Sequence, residues 1–135
     1  MAATKAGPDG SADDGTEADA AAHAVLAGYT FDGPALDLGA LMVDGAPRAD
    51  AQIRIPLAML NRHGLVAGAT GTGKTKTLQG LAEQLSAAGV PVFLADMKGD
   101  LSGMAAPGAA DDKLLARTRA LGQQWSAKAF PWSSG

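Results

Sequence analysis

The chain has 135 residues, of which 47% are apolar, 19% charged and none cysteine. That length suits one small domain or part of a larger one. No apolar run reaches the ~18 residues a bilayer demands, and without cysteine neither a disulfide scaffold nor a thiolate metal site can be built.

The net charge of -3 hides an asymmetry. Residues 1–50 hold nine acids and two bases, whereas 51–135 hold five acids and nine bases. The second part is therefore the one suited to an anion, a nucleotide or a nucleic acid, although a solvated surface carries such charges equally well. The N-terminus has no apolar h-region, so a secretory signal is not expected and the cytoplasm is the default expectation.

Residues 1–22 are mostly Ala, Gly, Asp, Ser and Thr. With so little to bury, they are expected to form a disordered acidic tail, and His23 at its edge is expected to face solvent. Residues 23–57 read as an appendage of short, half-buried strands, with Asp32-Gly33-Pro34 as a turn and with alternation at Leu36-Asp37-Leu38 and Gln52-Ile53-Arg54-Ile55.

From 58 to 135 the character is α/β. Gly64-Leu65-Val66-Ala67 reads as a buried strand, and a Gly- and Thr-rich loop follows it. Leu78, Leu81, Ala82 and Leu85 then recur on one helical face. Ala88-Gly89 with Pro91 beyond marks the end of that helix, and Val92-Phe93-Leu94-Ala95 reads as a second strand. Strand, loop, helix and strand make a βαβ unit with a parallel pair. After Asp96 comes a long small-residue stretch, a candidate functional loop. Asp111-Asp112 opens another helix, with Leu114, Leu115, Thr118 and Leu121 on one side and Gly122 near its end. Trp125, Phe130 and Trp132 follow in coil.

Gly68-Ala69-Thr70-Gly71-Thr72-Gly73-Lys74-Thr75 satisfies G-x-x-x-x-G-K-S/T, the phosphate-binding P-loop. Glycines let backbone amides turn toward phosphates where a Cβ would obstruct them. The following helix presents free N–H groups and its positive dipole end to the same anion. Lys74 is suited to the β- and γ-phosphates and the Thr75 hydroxyl to Mg²⁺, with Thr72 and Thr77 as further polar candidates. The expected ligand is Mg-ATP, held by residues 68–75, with Thr75 as the metal ligand.

Neighbouring readings fail on particular residues. A dinucleotide fingerprint starting at Gly71 needs glycine where Lys76 stands. Asp96-Met97-Lys98-Gly99 matches D-x-x-G, but it follows the first strand after the loop, leaving no room for a switch segment, and no N-K-x-D guanine reader is present. A small-molecule kinase would have only Arg117 and Arg119 as candidate lid residues. Asp96 itself is open between a water-mediated Mg²⁺ acid and a loop cap. No Asp-Glu pair follows an apolar run between 100 and 135, so no catalytic residue is assigned and hydrolysis by this chain alone is not expected.

Residues 61–75 together with 89–103, Gly89-Val90-Pro91-Val92-Phe93-Leu94-Ala95-Asp96-Met97-Lys98-Gly99-Asp100-Leu101-Ser102-Gly103, resemble the HerA-like helicase family of P-loop ATPases in the HerA/FtsK superfamily. Lys113-Leu114-Leu115-Ala116-Arg117 is similar to the family's next helix, and the resemblance covers about residues 57–125. It implies a partial RecA-like core, Mg-ATP hydrolysis, a hexameric ring in the full-length protein and work on DNA. It also implies that the remaining strands, a Walker-B acid, a sensor and an arginine finger lie beyond Gly135. Residues 68–75 carry over as the nucleotide site, and Asp96 to Asp100 as a family signature without an assigned role. The alternative is a small nucleotide-binding regulatory module that acts through a partner protein. No membrane association is expected.

Overall fold

The computed structural model describes residues 14–130. Residues 1–13, and with them most of the expected tail, lie outside the described residues, as does Trp132. The remainder of that tail is helical: α1 runs Asp14–Tyr29. Six of its 16 residues are alanine, the strongest helix former, so little side-chain burial is needed to favour the helix. It also absorbs Val25–Tyr29, which the sequence assigns to the strand appendage. Beyond its end, the Thr30 hydroxyl donates to the Leu26 carbonyl at 2.8 Å.

Strands β1 (Ala35–Val43) and β2 (Ala46–Pro56) form an antiparallel hairpin. Asp44 and Gly45 join them with φ of 50° and 78°. Two consecutive left-handed residues make a type I′ turn, whose twist matches the strands it joins. Leu36 pairs with Ile55 and Asp37 with Arg54. The register then slips twice. Leu38 is an extra residue in β1, and residues 49–51 are extra in β2. Bulges of this kind bend a strand and re-aim its side chains. Ala51, in the second bulge, is buried, as are Leu36 and the α1 residue Ala22.

Helix α1 packs mainly on β2. Arg48 of β2 bridges Asp19 of α1 at 2.6 Å and Asp50 of its own strand at 3.1 Å. The two carboxylates, Asp50 foremost, push the guanidinium pKa up, and Arg48 in turn holds Asp50 below its ordinary value.

Helix α2 (Lys74–Ala87) ends at Gly89 with φ 80°. Gly89 N–H donates to Ser86 O and Val90 N–H to Leu85 O, both at 3.0 Å. This Schellman pair needs the left-handed glycine. Helix α3 (Asp112–Ala120) is capped by the Asp111 side chain, which accepts from Leu114 N–H at 2.7 Å. It closes the same way as α2, at Gly122. Gln52 of β2 ties this end down by donating to Leu121 O at 2.9 Å.

The expected parallel pair does not form. Among the described residues the only sheet is the antiparallel β1–β2 hairpin, and 65–67 and 92–95 carry no ladder. Parallel strands pair less strongly per residue than antiparallel ones, and parallel sheets occur where both faces are covered. Here Leu65 is 88% exposed and Phe93 92% exposed, so neither segment has the cover that would make a two-strand parallel ladder hold. The α/β composition stands, with three α-helices and a two-stranded sheet among the described residues.

Helix α2 also differs in which residues it buries. Ala82 is buried as expected, but its companion is Gln79, while Leu78 is 41% exposed.

Candidate functional site

Residues 68–73 form the turn that leads into α2. The conformation depends on two glycines: Gly71 has φ 82°, and Gly73, the residue before the helix, has φ 94°. An L side chain at either position would sit in the left-handed region at a cost of about 1–2 kcal/mol. Gly68 is favoured for a different reason. A Cβ at Gly68 would stand 2.5 Å from the Thr72 hydroxyl oxygen.

The carbonyl oxygen of Ala69 is the hub of the turn. It accepts from Thr72 N–H at 3.4 Å, from the Thr72 hydroxyl at 2.8 Å and from Lys74 Nζ at 2.6 Å. Lys74 thus folds back over the loop that precedes it. Thr77 donates its hydroxyl to Gly73 O at 3.2 Å, a bond within the first helical turn.

The first helical hydrogen bond runs from Thr77 N–H to Gly73 O at 2.9 Å. The N–H groups of Lys74, Thr75 and Lys76 precede it and have no intrahelical acceptor, and no side chain caps them. They lie at the positive end of the helix dipole. Of residues 68–75, Lys74 is half-buried and the rest are exposed. Thr70 and Thr75 make no side-chain hydrogen bond to the described residues. The sequence-predicted site residues therefore form one continuous loop and helix start.

Asp96 is turned into its own loop. One carboxylate oxygen accepts from Lys98 N–H at 3.1 Å and Gly99 N–H at 2.9 Å, and the other from Leu101 N–H at 2.7 Å. These amides, Leu101 first, hold the carboxyl below its ordinary value. Of the two roles left open by the sequence, the loop cap is the one this geometry satisfies.

Sequence reasoning passed over Gln79 and Gln84. Gln79, the one buried polar residue among those described, donates from Nε2 to Asp100 O at 3.0 Å. Gln84 holds Asp37 of β1. Glutamine in a helix has no local signature of its partner, so only its position beside the apolar residues of α2 could have drawn notice. On the Gln79 side of the helix lies a cavity of about 540 Å³, between Lys76 and Glu83 of α2 and Met104, Trp125 and Phe130. Phe130 N–H donates to Met104 O at 3.2 Å and ties two of its walls together. Among the described residues, no cluster of His, Asp or Glu could hold a metal by itself, and no helix is long and apolar enough to cross a membrane.

Compared with known families, residues 42–134 match the model described as helicase HerA-like C-terminal. No curated protein and no solved structure matches the chain. The match begins inside β1 and so takes in all of β2, ahead of the region where the resemblance in sequence begins. It spans more than half of the 135 residues, and on that ground the chain belongs to the HerA-like helicase family.

Proposed function

We propose that this chain binds Mg-ATP at residues 68–75 and is the ATP-binding portion of a HerA-like helicase or translocase. The observation that carries the reading is the junction at Gly73. There a glycine-rich turn runs directly into an uncapped helix start, with Lys74 lying across the turn. Free amides, the positive dipole end and the Lys74 ammonium thus belong to one short stretch of chain, the combination that suits an anionic phosphate chain.

The residues present suit a magnesium ion brought by the nucleotide. Mg²⁺ usually keeps several waters and takes one or two protein oxygens alongside substrate phosphates, so it needs no carboxylate cluster. The Thr75 hydroxyl, at the helix start, would be its protein ligand. When bound, the ion would neutralise phosphate charge. Lys74 would leave Ala69 O to meet the phosphates, exchanging one charge-assisted hydrogen bond for stronger ones to an anion. Ring assembly and action on DNA are proposed from the family relationship.

Titration of a fluorescent ATP analogue, with and without Mg²⁺, tests the reading. The wild-type chain should bind saturably. Lys74→Ala should weaken binding about tenfold or more, the loss expected for one charge-assisted contact, while its circular dichroism stays unchanged. Thr75→Ala should reduce the gain that Mg²⁺ gives. No saturable binding by the wild type, or equal binding by Lys74→Ala, would overturn it.

A further inference from the structure

The segment 96–101 is closed on itself by one set of bonds and joined to helix α2 by another. Asp96 gathers the N–H groups of Lys98, Gly99 and Leu101 into a closed turn. Leu101 is buried at the end of that turn. Gln79 then reaches from α2 to the carbonyl oxygen of Asp100, between the last two of these residues. Gln79 is itself buried and Asp100 is exposed, so the bond is part-buried, screened from water on the helix side. It lies little more than one helical turn from Lys74. A helix moves over such a distance as a rigid body.

We infer that Asp96 is a positioning residue that builds the 96–101 turn, and that Gln79 couples this turn to the loop at 68–75, so that nucleotide binding is felt at 96–101. The coupling rests on the nucleotide reading above, whereas the role of Asp96 in the turn does not. Three of the roughly four acceptor positions of a carboxylate are already taken by amides, so a metal ion would have to compete with them. A nucleotide that draws on the amides and ammonium at the start of α2 shifts the helix, and Gln79 carries that shift to the Asp100 carbonyl. The same turn borders the cavity on the Gln79 side of the helix, to which Asp100 contributes. A change there would be presented to whatever meets that face.

Amide hydrogen exchange on the full chain, read residue by residue, separates the two parts. Without nucleotide, Asp96→Asn should speed exchange at Leu101 by about tenfold or more, the loss of a bond to a charged acceptor. Unchanged exchange would overturn the assigned role of Asp96. With saturating Mg-ATP analogue, wild-type amides at 98, 99 and 101 should change their protection. In Gln79→Met, which keeps length and apolar stem but has no donor, that response should vanish while analogue affinity stays within about threefold. Gln79→Asn, which keeps an amide on a shorter stem, provides the rescue arm and should recover part of the response. A response retained in Gln79→Met, or no response in a wild type that binds the analogue, would overturn the coupling. A wild type that binds no analogue overturns the functional reading and the coupling with it, and the nucleotide-free comparison still decides the role of Asp96.

Discussion

Gln84 of α2 holds both backbone groups of Asp37 in β1. Its Oε1 accepts from Asp37 N–H at 2.7 Å, and its Nε2 donates to Asp37 O at 2.9 Å. A side-chain amide here takes the place of a neighbouring strand, satisfying donor and acceptor of one residue together. It does so at Asp37, beside the Leu38 bulge where the β1–β2 register slips. The helix that starts at the glycine loop is thereby anchored to the hairpin.

Replacing Gln84 with Leu should therefore loosen the hairpin from α2. The chain should lose about 1–2 kcal/mol, the contribution of one or two hydrogen bonds at a partly exposed position. Urea unfolding followed by circular dichroism reads this as a lower midpoint. An unchanged midpoint would show that water replaces the amide without loss.

Gly68 offers a test of the loop that does not touch Lys74. In Gly68→Ala, the new methyl meets the Thr72 hydroxyl oxygen, 2.5 Å from its ideal position. Thr72 must then leave Ala69 O, and the turn opens. Affinity for an ATP analogue should fall. Adding Thr72→Ala removes the obstructing oxygen, so the double variant should bind more tightly than Gly68→Ala alone. If the double variant is as weak as the single one, the contact with Thr72 is not what makes glycine necessary.

Asp96 sets a pH dependence. Its carboxyl is held below the ordinary value of 3.8 by backbone amides, chiefly that of Leu101. An acid with a lowered folded value is deprotonated more readily in the folded chain than in the unfolded one. Its contribution to stability is thus fully present above 3.8 and is lost as pH falls from there through the lower folded value. Urea midpoints of wild type and Asp96→Asn should differ most near neutral pH and converge as pH falls below 3.8 and through the lower folded value. A difference that stays constant down to acid would mean that the amides favour neither form. Asp50, lowered chiefly by Arg48, titrates in the same direction, so the convergence must be read as a difference between the two proteins.

What the sequence alone determined about this protein is local. The glycine turn at 68–73, the start of α2 after Gly73, its stop at Gly89, and the Asp111 cap with Gly122 closing α3 each depend on bonds within a few residues. A φ that only glycine adopts easily, or an aspartate before a helix, is written in the residue itself. The strands of the hairpin are legible in their alternation, though not their pairing, and Asp44-Gly45 is a turn signal between them that the sequence reading does not use. The stretch at 14–22 lacks large side chains and so reads as disordered, yet it is helical, because the helix propensity of alanine needs little burial.

Only the tertiary structure decided which distant groups meet. Strand pairing, the hold of Arg48 on Asp19, and the grips of Gln79 on Asp100 and of Gln84 on Asp37 join residues far apart in the chain. Their partners are backbone carbonyls, amides and exposed carboxylates that every stretch of chain offers in similar form. The choice among them is made by packing geometry, which no local pattern encodes. For the same reason an apolar run such as 92–95 reads as a strand in sequence, yet becomes one only where a neighbouring backbone lies alongside to complete its hydrogen bonds.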